Sequence, residues 1–333
     1  MAKYLFKRLL SLIPVVFIIS ILLFTIVISV PGDPVDYAYQ DKFGLPEFKG
    51  VEGAKRLEEF KAQKREEMGL NDNVVVRYTR WVKSTLRGDF GFSTTFNKPA
   101  KEAIKEPLKI SILINIISIT LSFIIAIIVG VKSAIKRFSF YDSTWQVSSL
   151  IFMSMPTFFI GISLIYLFPV SLGWFKFGGL PPVNPNNSPI QELWGWFLHL
   201  FLPVLTLTIG SLAGTIRYVR NAMIEVLKKD YIRTARSKGL REKVVVYSHA
   251  FRNALIPVVT IVAGSLVGVF GGSAITEQVF SINGIGNVLI TALSKSDYSI
   301  VLTMNLFYAV LGLAANVIMD ISYAFVDPRV KLD

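Results

Sequence analysis

The stretch Asp230-Tyr231-Ile232-Arg233-Thr234-Ala235-Arg236-Ser237-Lys238-Gly239, continuing to His249-Ala250-Phe251-Arg252-Asn253, is a strongly cationic segment set between two long apolar runs. Residues 233–238 suit a helix. Asp230 is predicted as its N-cap, where a carboxylate accepts a bond from a first-turn N–H. Gly239 suits the left-handed residue that closes a helix, and Arg236 and Lys238 fall where the negative end of the helix dipole favours cations. About two turns are too short to persist alone in water. A partner surface is therefore expected, and Ala235 is the place with least side chain where one could come close. Spacing alone leaves a second reading open, a solvated basic loop that only fixes topology.

Outward from this segment the chain is apolar. It has 333 residues, 52% of them hydrophobic, with a mean hydropathy of +0.53. That places it with polytopic membrane proteins. The absence of cysteine excludes disulfides, thiolate metal sites and cysteine nucleophiles, and two histidines, His199 and His249, make no metal cluster. A net charge of +12 on a soluble chain would raise nucleic acid as a partner. Here the charge collects between apolar runs, and membrane orientation is the simpler cause, with no nucleic acid expected.

Residues 9–30 form a first uncharged run after Lys3, Lys7 and Arg8, long enough to cross a hydrocarbon core about 30 Å thick. It reads as a retained anchor, because it exceeds a signal peptide's apolar core and no small-x-small site follows. Pro31-Gly-Asp-Pro34 ends it by turn chemistry. A polar region extends to about 109: a Lys/Glu-rich part over 41–68, then 74–86, where Val74, Tyr78, Trp81 and Val82 recur at helical spacing. The latter fits a helix at the outer membrane surface or one packed in a small outer domain. Gly88-Asp-Phe-Gly-Phe-Ser93 reads as a turn.

Further spans are predicted at 110–131, at roughly 145–171 with breaks at Pro156 and Pro169, and at 197–216, 253–276 and 298–319. Between the fourth and fifth, Arg217, Arg220, Lys228, Lys229, Arg233, Arg236, Lys238, Arg241, Lys243 and Arg252 outnumber Glu225, Asp230 and Glu242, so 217–252 is assigned to the cytoplasm. The result is six helices with both termini inside. The loops through 178–192 and 277–297 lie outside, the latter carrying a short re-entrant or surface helix near Gly284-Ile-Gly286. Trp194 and Trp196 mark an interface.

None of the six runs contains Asp, Glu, Lys or Arg. Charges at mid-bilayer cost about 2.5–3.5 kcal/mol and are kept mainly for ion or proton coupling, so the work is expected to come from outside the membrane. His199 reads as an interfacial helix residue rather than a proton relay. Gly210/Gly214 and Gly264/Gly268/Gly272 lie on single helix faces, suited to close packing or to a subunit seam. Asn115, Ser118, Thr120, Ser122, Thr206, Thr208 and Ser211 either line a polar passage or bond within their own helices. There is no G-x-x-x-x-G-K-[ST] phosphate loop and no Ser/His/Asp set, so an enzyme is not expected.

The 230–239 segment resembles the cytoplasmic EAA loop of ABC importer permeases, a coupling helix that sits in a cleft on an ATPase subunit. With Gly239 on the family glycine, Arg233, Thr234 and Ala235 occupy the EAA positions and His249, Phe251 and Arg252 the I, L and P positions of I-x-L-P. Together with Ala254-Leu-Ile-Pro257, the segment is similar to the B-type permease of oligopeptide and dipeptide importers. So are, in family order, Pro31-Gly-Asp-Pro34, Gly88-Asp-Phe-Gly91, Pro156-Thr-Phe-Phe-Ile-Gly161, Gly179-Leu-Pro-Pro182, Glu277-Gln-Val-Phe-Ser-Ile-Asn-Gly-Ile-Gly286 and Asp327-Pro-Arg-Val330. Asn283 stands where proline is expected.

The resemblance implies an all-α fold with a type I (MetI-like) permease core at 110–325. An outer-face insertion at 31–109 separates it from the first helix, and 326–333 forms a cytoplasmic tail. It implies a prokaryotic inner or plasma membrane, a C-type permease partner, two ATPases that hold the ATP and Mg, and an extracytoplasmic substrate-binding protein. This chain itself would carry no cofactor. Peptides are the implied substrate, with nickel chelates, short oligosaccharides or an ATPase-independent carrier as alternatives. Asp230, Tyr231, Arg233, Thr234, Ala235, Arg236, Lys238 and Gly239 are the implied coupling residues, with 31–109 and 277–297 as receptor contacts.

Overall fold

A computed structural model describes the chain except for residues 1, 31–32, 40–41, 44, 183 and 327–333. The described residues are mostly helical. In order they form α1 (Ala2–Ser29), α2 (Pro34–Ala38), α3 (Gly50–Glu67), α4 (Val74–Leu86), a two-stranded antiparallel ribbon of β1 (Phe92–Ser93) and β2 (Lys98–Pro99), α5 (Ala100–Ile135), α6 (Phe140–Ser154), α7 (Thr157–Ile165), α8 (Pro189–Leu227), α9 (Asp230–Ser237), α10 (Glu242–Val244), α11 (Arg252–Phe270), α12 (Ala274–Val279), α13 (Ile285–Ser294) and α14 (Tyr298–Val326). Tyr166–Leu172 and Val245–Phe251 are π-helical. The expected turn at Pro31-Gly32 and the 327–333 tail lie outside the described residues.

Among the described residues, four helices are long and apolar enough to cross a membrane: α1 over Leu10–Ser29, α5, α8, and α14 over Tyr298–Met319. The predicted third span is corrected only in part: the expected break at Pro156 is present, as a bend of 101° between α6 and the following α7 segment, but Pro169 lies inside the π-helical run without ending it. Met155 is extended (φ −88°, ψ 127°) because the Pro156 ring disfavours helical backbone before it. Counting the bent pair as one crossing makes five. The predicted fifth span is also corrected. α11 stops at Phe270, Gly271 is extended, and Thr276 lies buried in α12. α5 and α8 extend beyond their apolar runs, so 217–227 is helix rather than loop. A capping box of Ser188 and Gln191 starts α8.

The chain divides into two compact units. One comprises chiefly 109–286 and 314–326. In it, Asn115 of α5 donates to the carbonyls of Val269 (3.1 Å) and Gly271 (2.6 Å), satisfying acceptors freed where α11 ends. Ser118 donates to Val204 O and Thr208 to Ser118 O, while Thr206 bonds its own helix at Leu202 O. Asn115, Ser118, Thr206 and Thr208 are buried; the three hydroxyls make their shortest bonds, 2.7–2.8 Å, to carbonyls one turn back in their own helices, the second of the two expected settings, and the Asn115 amide ties α5 to the end of α11. A Cβ on Gly272 would lie 2.1 Å from Gly286 N, a close approach only glycine permits; one on Gly214 or Gly268 would meet nothing.

The other unit comprises 6–108 and 287–313. Tyr78 and Trp81 of α4 pack on α1: Trp81 stacks on Phe24 at 5.5 Å and Tyr78 shares a 2.7 Å hydrogen bond with Ser20. These contacts are made to the first candidate span rather than to other residues of 31–109. Asp297, expected in an exposed loop, is buried. It accepts from Ser93, from Thr95 N at 3.0 Å and from Ile300 N at 3.3 Å, capping α14 and anchoring β1.

Candidate functional site

The cationic segment is ordered by its ends and by two apolar residues. Lys229, extended at φ −71° and ψ 149°, is the residue that caps α9, and its carbonyl accepts from Ile232 N and Arg233 N. Asp230 therefore sits inside the first turn rather than at the cap. Its side chain is 97% exposed, 3.8 Å from Arg233, where its charge still complements the helix dipole. The C-terminus forms as expected. Gly239 adopts φ +72°, Gly239 N donates to Arg236 O and Leu240 N to Ala235 O, the paired bonds of a Schellman closure. Arg236 does not face the terminus alone. It forks onto Glu242 at 2.7 and 3.1 Å, and this hydrogen bond holds the Glu242 carboxyl below its usual range.

Ile232 and Ala235, three residues apart, point the same way and are 0% and 6% exposed. They enter a core cluster with Val131 and Ala134 of α5, Val219 and Met223 of α8, Val245, Val246 and Ala250 of the π-helical segment, and Ala254 and Val258 of α11. This corrects the reading of Ala235. The surface that meets it belongs to the same chain, and its small side chain lets α9 seat close to the π-helical segment. Tyr231, Arg233, Thr234, Lys238 and Gly239 remain exposed on the outward side. Burying Ile232 alone supplies about 1.5–3 kcal/mol, enough to hold a helix that its own hydrogen bonds would not. His249 lies in the π-helical segment, and a ring nitrogen of His199 lies 2.8 Å from Gly195 O of its own helix.

Two buried carboxylates, Asp142 beside this core and Glu277 near the start of the apolar run of α5, escaped the apolar-run reading. Asp142, at the start of α6, receives both Arg220 nitrogens at 2.6 and 2.7 Å and Phe138 N at 3.0 Å. Their side chains are 3% and 13% exposed. Arg220, expected as a loop cation, therefore locks α6 to α8 ten residues before Asp230. Glu277, expected as an outside receptor contact, is 5% exposed and accepts from Ser111 of α5 at 2.7 Å, while the same hydroxyl accepts from Ile285 N at 2.8 Å. A Cβ on Gly284 would fall 2.3 Å from the Glu277 carboxyl carbon, so this glycine makes room for the acid. The one signal that pointed to either residue was a charge placed directly beside an apolar run.

Residues 107–332 match the family described as binding-protein-dependent transport system inner membrane component. The chain is 36% identical to the oligopeptide transport system permease protein AppB of Bacillus subtilis, over 99% of this chain and all of that protein. It is 32% identical to a probable peptide ABC transporter permease protein of Sinorhizobium fredii, over 99% and 100%. It is 34% identical to a putative peptide transport system permease protein of Brucella abortus, over the full length of both.

Proposed function

The chain belongs to the family of binding-protein-dependent transport system inner membrane components, multi-pass permeases of ABC transporters and not themselves enzymes, and we propose that it is the B-type permease of an ATP-driven importer of di- or oligopeptides. It would form the path with a C-type permease, accept substrate from an extracytoplasmic binding protein, and draw work from two ATPases that hold ATP and Mg. In this reading six crossings are made by α1, α5, the bent α6–α7 pair, α8, α11 and α14. Residues 31–109 form an extracytoplasmic insertion, 110–325 the core, 217–252 faces the cytoplasm, and both termini lie inside a prokaryotic plasma or inner membrane.

The observation that carries the coupling assignment is the seat of α9. An eight-residue helix presents Asp230, Tyr231, Arg233, Thr234, Arg236, Lys238 and Gly239 outward, while Ile232 and Ala235 plug into a cluster shared by α5, α8 and α11. A push on the exposed face therefore reaches three spanning helices through packed side chains, which transmit displacement because close-packed interiors compress little. ATP-driven approach of the ATPases would move the two permeases' coupling helices together and open the path outward, and hydrolysis would let it relax inward.

Because the chain has no native cysteine, Thr234→Cys gives a single probe. In the assembled transporter it should cross-link to an ATP-binding subunit and react with impermeant maleimide only from the cytoplasmic side. Tyr231→Asp should lower peptide-stimulated ATP hydrolysis without loss of assembly. Cross-linking to no nucleotide-binding neighbour, or labelling from outside, overturns the coupling assignment.

A further inference from the structure

A groove of about 470 Å³ opens beside the last turns of α5. Ile127, Ile128 and Val131 form one wall, and Tyr247 and Phe251 of the π-helical segment form the other. Lys132 and Lys136, one turn apart, stand at its rim. We propose that this groove is a binding site for an anionic phospholipid, with an acyl chain in the apolar slot and the phosphate between the two lysines.

Three observations favour this occupant. The first is continuity with an exposed apolar stripe. Ile117, Leu121, Ile124, Ile128 and Ile135 are 37–62% exposed, and their spacing of four, three, four and seven places them on one face of α5. The stripe leads along the spanning helix into the groove, which is the order of an acyl chain and then a headgroup. The second is uncompensated charge. Among the described residues no carboxylate pairs with Lys132 or Lys136, and the nearby Asp142 is committed to Arg220. Lys132 instead lies 4.5 Å above the Tyr141 ring. The third is the surrounding composition. Arg137 lies over Phe138, and Phe138 and Phe140 are 78% and 89% exposed. Exposed aromatics beside unpaired bases mark the headgroup level of a bilayer, where anionic lipids attract each base. A soluble protein would have to reach a groove flanked by the apolar stripe, which the bilayer itself covers.

The groove wall and the α9 seat share one segment. Tyr247 and Phe251 line the groove, and Val245, Val246 and Ala250 pack on Ile232 and Ala235. A lipid in the slot braces the backing of α9. The site requires only that α5 crosses the bilayer and stands apart from the coupling assignment.

The test uses the assembled transporter in vesicles of equal parts phosphatidylglycerol and phosphatidylcholine, each in turn carrying a photoactivatable acyl chain, with labelled peptides mapped by mass spectrometry. Phosphatidylglycerol should label 127–137 and 247–251 at least about fivefold more than phosphatidylcholine, given the attraction of one base for an anionic surface. K132Q/K136Q should bring that ratio close to one, whereas K101Q/K105Q at the other end of the same helix should leave it unchanged. Ile128→Trp, which fills the slot, should lower labelling by both lipids. Equal labelling by the two lipids overturns the proposal, as does a ratio unmoved by K132Q/K136Q. Absence of lipid label because a partner subunit covers the groove also overturns it.

Discussion

α3 and α9 are both charged, mostly exposed helices, and they are held in opposite ways. α3 has eighteen residues and buries Gly53 alone. It is tied down by Lys61 on Asp36 at 2.8 Å, by Arg65 on Asp33, and by Phe60 against Tyr39 and Phe48 at ring separations of 5.3 and 5.8 Å. α9 has eight residues and is held by Ile232 and Ala235 in a core. Exposed ion pairs contribute about 0–1 kcal/mol each, whereas one buried isoleucine contributes about 1.5–3. Position therefore depends more on what a helix buries than on its length. The region around α9 is built to stay registered with α5, α8 and α11, and α3 is held through ion pairs that each keep one partner, Asp36 or Arg65, 46% exposed.

Four measurements test this contrast. The largest effect is expected where a charge beside the α9 region is buried. Arg220→Ala leaves the Asp142 carboxylate unpaired and should cost about 3–5 kcal/mol, read as a lowered thermal midpoint of the purified permease. Ile232→Ala should cost about 2–5 kcal/mol and speed hydrogen exchange across 230–237. Arg65→Ala, on α3, should cost no more than about 1 kcal/mol; a loss equal to that of Ile232→Ala would end the contrast. The smallest effect is a pH dependence at the end of α9. The folded carboxyl of Glu242 lies below its unfolded value of about 4.3. Its contribution is therefore present above that value and lost as pH falls through the folded one. Because the side chain is 58% exposed, solvent screening limits the change to about 0.5 kcal/mol. It should show as faster exchange at Gly239 and Leu240 near pH 3, abolished in Glu242→Gln.

The outward side of α9 sharpens the comparison further. Ala235→Glu, on a sequence reading, tests docking; in the structure it forces a carboxylate into a core and tests folding. Tyr231 and Thr234 are the positions where docking is separable from stability, and surface changes there should stay within about 0.5 kcal/mol.

Much of this was legible from residue order. Long uncharged runs can satisfy their backbone only as helices in a bilayer, so α1, α5, α8 and α14 follow from hydropathy. Gly239 could be placed because a left-handed helix closure favours glycine, and α4 because its aromatic spacing repeats at helical period. Apolar periodicity says that a residue is buried but not against what. A small side chain likewise shows where a surface can approach but not whose it is, so Ala235 reads as a partner contact although its own chain covers it, and Tyr78 and Trp81 fit a membrane surface or a small outer domain alike.

Burial of charge was not legible. Asp142, Glu277 and Asp297 each sit beside an apolar run and read as loop residues. They are interior because Arg220, Ser111 and Ser93, all remote in the chain, bring the matching donors. A helix is a local object whose hydrogen bonds close within four residues, so a linear pattern is enough to find it. A buried carboxylate depends on partners between about eighty and two hundred residues away, and folding alone brings them within hydrogen-bond distance.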